Sequence, residues 1–295
     1  MKKLFGVVTP MVTPFLDNED VDVESLRRLT SWLIDSGING LYPCGTTGEG
    51  HLLNLEERKL AAETVVAESA FRVPVYIQSG AMSLRDTIAL SKHAVSCGAD
   101  GVGVVTPSYY TLSRKNICDY YISLARELPS DFPVYMYSIP GNALNDIEPE
   151  TAALIADECP NVVGIKYSGD NFVQLQAYNE IREGTFSVLA GNDRTLAAVM
   201  SSGCDGTVSG ISNLYPEKVT AVYTAFQAGN IKKAMEYQRE VYRASLCLFD
   251  SFFLASLKAA MGLRGQMVGK LRKPLPELTD EQYEKLKLAI EGGDR

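Results

Sequence analysis

The sequence predicts an α/β fold, a closed (β/α)8 TIM barrel carrying a C-terminal helical extension. Three observations predict it. Short apolar strands alternate with helical segments eight times in series, the pattern that builds a parallel sheet. The chain has 295 residues, a length at which closure of eight strands into a barrel is the leading solution. One turn pattern recurs where helices hand over to strands, at Ser36-Gly-Ile-Asn-Gly40, Cys97-Gly-Ala-Asp-Gly101 and Ser202-Gly-Cys-Asp-Gly206. In each, one glycine ends a helix in the left-handed region and a second opens a strand.

Taken in order, Phe5 to Thr9 reads as the first strand. The helix over Asp22 to Ser36 follows, with Leu26, Leu29, Leu33 and Ile34 on one face. Gly40 to Pro43 is the second strand and Leu55 to Ala70 its helix, rich in Glu and Ala. Val73 to Ile77, Val102 to Val105 and Pro133 to Tyr137 are the next three strands. Their helices run over Leu84 to Cys97, Arg114 to Leu128 and Pro149 to Glu158. Val162 to Ile165 is the sixth, apolar on both faces as interior strands of a parallel sheet are, with Lys166 at its end. A helix over Phe172 to Arg182, a strand over Phe186 to Ala190, a helix over Leu196 to Ser202 and a strand over Gly206 to Ser209 complete the set. The expected division is a barrel over 1–215 and a helical extension over 216–295 packed on it.

Composition narrows the function. The chain is 46% hydrophobic and 22% charged, as expected of a soluble globular protein with a large core. A net charge of -8 argues against nucleic acid and anionic membrane partners. No apolar run is long enough to span a bilayer, and Pro10 and Pro14 interrupt the only stretch that resembles a leader. The 6 cysteines include no CxxC pair, so reduced thiols in a cytoplasmic protein are expected. The only histidines, His51 and His93, lack ligand spacing, so no metal or other cofactor is expected. His93 reads as a helix-surface residue, while His51 follows close on a threonine pair and stands near the mouth of any site there.

In a barrel, chemistry sits where strands end and the following loops begin. Lys166 ends an apolar strand. An amine taken out of water there loses favourable hydration, and a neutral amine attacks a carbonyl to form a Schiff base. Pro43-Cys-Gly-Thr-Thr-Gly-Glu49 offers hydroxyls and backbone donors able to hold a carboxylate without a metal. Tyr137 ends the fifth strand and can shuttle a proton if another hydroxyl tunes it. Each has a plainer explanation: a lysine reaching solvent, a common Gly/Thr turn, a core aromatic. Tyr109 and Tyr110, after the fourth strand, fit an interface equally well. The coincidence of all these groups at strand ends favours chemistry.

Gly45-Thr-Thr-Gly-Glu49, Tyr137-x-x-Pro140 and Gly164-Ile-Lys166 stand in one order at three strand ends. With Leu53 to Arg58 and Arg272-Lys-Pro-Leu-Pro276, the chain resembles the dihydrodipicolinate synthase / N-acetylneuraminate lyase family nearly end to end. That resemblance implies a homotetramer that acts on pyruvate or another 2-oxo acid through a lysine Schiff base. It implies Lys166 as nucleophile, Tyr137 as acid/base, and Thr47 with neighbouring amides on the pyruvate carboxylate. It also implies that Thr46 links Tyr137 to Tyr109 of a neighbouring subunit, and that the Val208 backbone lines the pocket.

Asn142, Asp193 and Arg194 are the candidates for holding the rest of the substrate. Asn142 stands where the synthase branch carries an arginine, and Arg194 where the sialic-acid lyase branch carries a glutamate. Tyr137-Ser-Ile-Pro-Gly-Asn142 is most similar to 4-hydroxy-2-oxoglutarate aldolases, with 2-keto-3-deoxy sugar acid aldolases a near alternative. Arg194 in the pocket would favour a substrate with a carboxylate at its far end. A dihydrodipicolinate synthase, an N-acetylneuraminate lyase, a phosphate-handling barrel enzyme and a silent 2-oxo acid binding barrel are the competing readings.

Overall fold

Eight parallel strands run from β1 (Gly6–Thr9) and β2 (Gly40–Leu41) through β3 (Tyr76–Gln78), β4 (Gly101–Val105) and β5 (Val134–Ser138) to β6 (Val162–Tyr167), β7 (Ser187–Ala190) and β8 (Gly206–Val208). The structure is a computed structural model describing residues 3–249 and 252–293. Met1, Lys2, Asp250, Ser251, Asp294 and Arg295 lie outside the described residues. The strands pair in the order β2-β1-β8-β7-β6-β5-β4-β3. A parallel bridge between Leu41 and Val75 then joins the two outer strands. Across that seam Leu41 N donates to Pro74 O at 3.0 Å and Gln78 N to Pro43 O at 3.1 Å. This is the expected barrel.

The helices between strands are α1 (Val23–Asp35), α2 (Leu55–Ser69), α3 (Leu84–Ser96), α4 (Arg114–Arg126), α5 (Pro140–Ala143), α6 (Pro149–Glu158), α7 (Phe172–Asn179) and α8 (Leu196–Ser201). Asp22 caps α1 by accepting from Ser25 N at 3.0 Å. Asn54 and Glu57 form a reciprocal capping box on α2. After β8 come α9 (Pro216–Gln227), α10 (Ile231–Ser245), α11 (Phe253–Leu263) and α12 (Asp280–Gly293). Among the described residues no helix is long and apolar enough to cross a membrane. All six cysteines are free, and burial pushes the Cys44 thiol up to about 11.

Besides a small cluster of Val105, Tyr137 and Ala143, two cores stabilise the molecule. The larger one lies between the sheet and its helices. The smaller fills the barrel with Tyr42, Tyr76, Tyr135, Leu4, Val8, Val163, Leu189 and Val208. Three tyrosines fit there because glycines face them. A Cβ on Gly103 would lie 2.1 Å from the Tyr42 hydroxyl, and one on Gly164 would lie 2.4 Å from the Tyr135 ring. Tyr76 and Tyr135 meet edge to face at 5.4 Å, the arrangement their quadrupoles favour.

Several boundaries differ from expectation for local reasons. The third strand begins at Tyr76, because Pro74 has no N–H to give a ladder. The second ends at Leu41, ahead of the left-handed turn at Cys44 (φ 62). The sixth continues through Lys166 to Tyr167, paired on both sides. Helix α5 was not anticipated; its Pro140 supplies a preset φ for a first helical turn.

Candidate active site

The sheet itself sets the first two groups. Tyr137 on β5 and Lys166 on β6 are Cα partners, and Lys166 pairs in turn with Leu189 on β7. Residues in register on parallel strands point to the same side at the same height. The Lys166 ammonium nitrogen, Nζ, lies 3.8 Å from the Tyr137 ring centroid and 5.1 Å from that of Tyr42. Lys166 is 5% exposed and Tyr137 2% exposed. The lysine does not exit to solvent; it ends against aromatic faces inside the barrel mouth.

The turn after β2 comes next. Its backbone is left-handed at both Cys44 (φ 62) and Glu49 (φ 55). Glu49 N donates to Thr46 O at 3.1 Å and Gly50 N to Gly45 O at 3.0 Å, which winds the segment tightly. Thr46 and Thr47 are the half-buried residues in an otherwise buried run, and both open onto the same cavity as Lys166. The Thr46 hydroxyl lies 3.3 Å from the Tyr137 phenol.

That cavity has a volume of about 480 Å³. Val208 lines its floor, and Asn142, Ser168 and Asp193 supply polar groups around Lys166. Most of the remaining wall is apolar, with Pro10 and Ile139 contributed by the barrel loops and the larger share by the extension. Phe252, Phe253 and Leu254 stand at the start of α11, and Leu271, Leu275 and Pro276 lie in the irregular segment before α12. Reading the extension as a helical appendage missed this wall. The only available signal was the Arg272-Lys-Pro-Leu-Pro276 stretch, which had already marked the region as shared.

Asp193 and Arg194 part company although they are adjacent. A one-turn 3-10 helix over Asp193–Thr195 turns the aspartate inward. Ile211 N donates to its Oδ2 at 3.2 Å, while Oδ1 is buried without a hydrogen-bond partner. Burial pushes the Asp193 carboxyl up to about 6, opposed by the Ser209 hydroxyl, the Ile211 and Gly210 amides and the Lys166 charge. The Arg194 side chain instead donates from Nε to Ser245 Oγ at 3.1 Å. It lines an adjoining depression of about 270 Å³ that shares Ser168, Asp193 and Phe253 with the main cavity.

The other sequence candidates lie at or beyond the rim. Asn142, on α5, is exposed and lines the cavity entrance. Tyr109 is 75% exposed and packs edge-on against Tyr110 at 5.0 Å, outside the cavity of its own chain. Its backbone is left-handed (φ 74), a conformation rarely adopted by a tyrosine. His51 is exposed and does not line the cavity. His93 bonds Glu63 at 2.8 Å on the helical surface.

This geometry can be compared with known proteins. The profile of the dihydrodipicolinate synthetase family matches residues 3–292. The chain belongs to that family. Among curated relatives, an uncharacterized DapA-like lyase of Halobacterium salinarum is 40% identical, over 94% of this chain and 90% of its own. A 4-hydroxy-tetrahydrodipicolinate synthase of Syntrophus aciditrophicus is 35% identical over 97% of both chains. Among solved structures, a dihydrodipicolinate synthase from Aquifex aeolicus superimposes with a TM-score of 0.94 at 28% identity, covering 99% of this chain and 98% of that one. The prophage protein YagE of the same family, from E. coli K12 and in complex with pyruvate, gives 0.93 at 29% identity over 98% of each chain. The family makes this chain an aldolase-type lyase.

Proposed function

We propose that this member of the dihydrodipicolinate synthetase family cleaves a 4-hydroxy-2-oxo acid to pyruvate and an aldehyde through a Schiff base on Lys166. The observation that carries the proposal is the buried amine of Lys166, 3.8 Å from the Tyr137 ring, in a cavity shared with Thr46 and Thr47. The Thr47 hydroxyl and the turn amides hold the substrate carboxylate. The Lys166 amine attacks the C2 carbonyl and water leaves, giving an iminium. Tyr137 takes the proton of the C4 hydroxyl, with Thr46 as its hydrogen-bond partner. The C3–C4 bond breaks, its electron pair entering the enamine as the aldehyde departs. Protonation at C3 and hydrolysis of the iminium release pyruvate and return Lys166. The pyruvate bound by the structurally similar YagE supports this choice of product.

The aldehyde fragment is uncharged and hydroxylated, as in a 2-keto-3-deoxy sugar acid. Among the described lining residues Lys166 is the only cationic side chain, while Asn142, Ser168 and Asp193 suit hydroxyl groups. The synthase names of several relatives favour a second reading, condensation of pyruvate with an aldehyde that bears a carboxylate. A panel of 2-oxo acids assayed for pyruvate release separates the two. Fast cleavage of neutral-tailed substrates supports the lyase; no cleavage, with condensation onto a carboxylate-bearing aldehyde, supports the synthase. We further propose an oligomer, a homotetramer as the family resemblance implies, in which the exposed Tyr109 serves a neighbour's site.

A further inference from the structure

Beneath the threonine turn lies a charge pair with no part in the chemistry above. The Lys258 ammonium on α11 is 2.7 Å from Glu49 Oε1, and the two side chains are 3% and 0% exposed. That ammonium also donates to Thr13 O at 2.8 Å and Lys270 O at 2.9 Å, and it sits 4.4 Å from the Phe15 ring centroid. Glu49 Oε2 accepts from Arg272 N at 2.8 Å. The Arg272 guanidinium is in turn paired with both carboxylate oxygens of Glu57, at 2.7 and 2.8 Å. Thr13 closes the circuit by donating from Oγ1 to Gly48 O at 2.6 Å. Four chain segments therefore converge on one buried ion pair: the loop after β1, the threonine turn, α11 and the segment before α12.

Such a pair is a costly way merely to dock a helix. Desolvation of two ions can exceed their attraction, and a well-packed apolar pair of similar volume often docks elements as well or better. What charge adds is direction and registry. The Glu49 carboxylate is the anchored end of a turn whose left-handed backbone places Glu49 N on Thr46 O. The anchor's other end carries Leu271, Leu275 and Pro276 into the cavity wall. We propose that Glu49 and Lys258 are positioning residues that hold the Thr46–Thr47 turn in register for the substrate carboxylate. The C-terminal extension is thereby a working part of the carboxylate site. This rests on the pyruvate assignment above.

The test is borohydride trapping of pyruvate on Lys166 in the full chain, followed against pyruvate concentration, with thermal melts of each protein. Two variants are needed: Glu49→Gln combined with Lys258→Met, which removes both charges together, and Glu49→Asp, which keeps the charge on a shorter arm. Both are expected to need roughly tenfold or more pyruvate for half-saturation, since small misplacements of a binding group carry costs of that order. Trapping at saturation is expected to stay close to wild type, a split that loss of folded protein does not produce. A folded variant with the wild-type half-saturation overturns the inference, and Glu49→Asp decides it if the double variant does not fold. A wild-type protein that traps no pyruvate removes the pyruvate assignment and this inference together. Wild-type trapping with unaltered variants removes the inference alone.

Discussion

The Tyr137 ring lies directly against the Lys166 amine, at 3.8 Å, because the two residues are register partners on adjacent parallel strands. The arrangement depends on the ladder and not on loop conformation, so the pair is held as rigidly as the barrel. A one-residue slip of either strand would turn one of the two side chains to the opposite face. Rigid placement of this kind is what proton transfer beside a covalent intermediate requires.

Tyr137→Phe removes the phenol that faces Thr46 at 3.3 Å while keeping the ring against Lys166. Steady-state kcat for pyruvate release should fall by roughly 10²–10⁴-fold, the usual contribution of a general acid/base. Equilibrium adduct formation with pyruvate should persist, and Thr46→Val should be milder. A loss below about tenfold would show that the proton travels by another route.

Asp193 gives a pH signature. Its folded carboxyl titrates at about 6, above the usual carboxylate value, because burial disfavours the charge. The folded state therefore holds this proton more tightly than the unfolded chain. Stability falls as pH rises from the usual carboxylate range to about 6, and the cost of the buried charge is fully present above that. Asp193→Asn should gain in Tm relative to wild type near neutral pH and lose that advantage in acid. A Tm difference that stays constant from acid to neutral pH would remove the assigned titration.

Gly103→Ala tests the packing of the barrel interior. The new methyl would stand 2.1 Å from the Tyr42 hydroxyl and 2.4 Å from its ring. Overpacking of this kind costs about 1–3 kcal/mol. A lower Tm and a lower urea midpoint are expected; unchanged unfolding would mean that Tyr42 is free to move aside.

Asn142→Arg probes the uncharged acceptor. Asn142 is exposed and lines the cavity. A guanidinium there offers a charge-assisted hydrogen bond, worth about 1.5–3 kcal/mol. The variant should raise kcat/KM for substrates with a distal carboxylate by roughly tenfold or more relative to neutral-tailed ones. An unchanged ratio would place the acceptor elsewhere.

Much of this was legible in the sequence, and the gaps have physical causes. The apolar run Val162 to Ile165 marks a strand covered on both faces, so the sequence alone locates Lys166 at a strand end. The end of β6 was less visible, because pairing of Lys166 and Tyr167 with both neighbours is a property of the sheet. Asp193 and Arg194 share one address in sequence, and only the 3-10 turn reveals that one meets Ile211 N and the other Ser245. The Phe252–Leu254 wall was hidden because those residues meet the barrel mouth through tertiary packing alone. The Glu49–Lys258 pair was hidden for the same reason, its partners being joined across the fold.

The most direct measurement is peptide mass mapping after incubation with pyruvate and borohydride. The account predicts a single reduced pyruvate adduct on the peptide containing Lys166, absent from Lys166→Arg, with the buried Lys258 unmodified. An unmodified Lys166, or an adduct on another lysine, would contradict it.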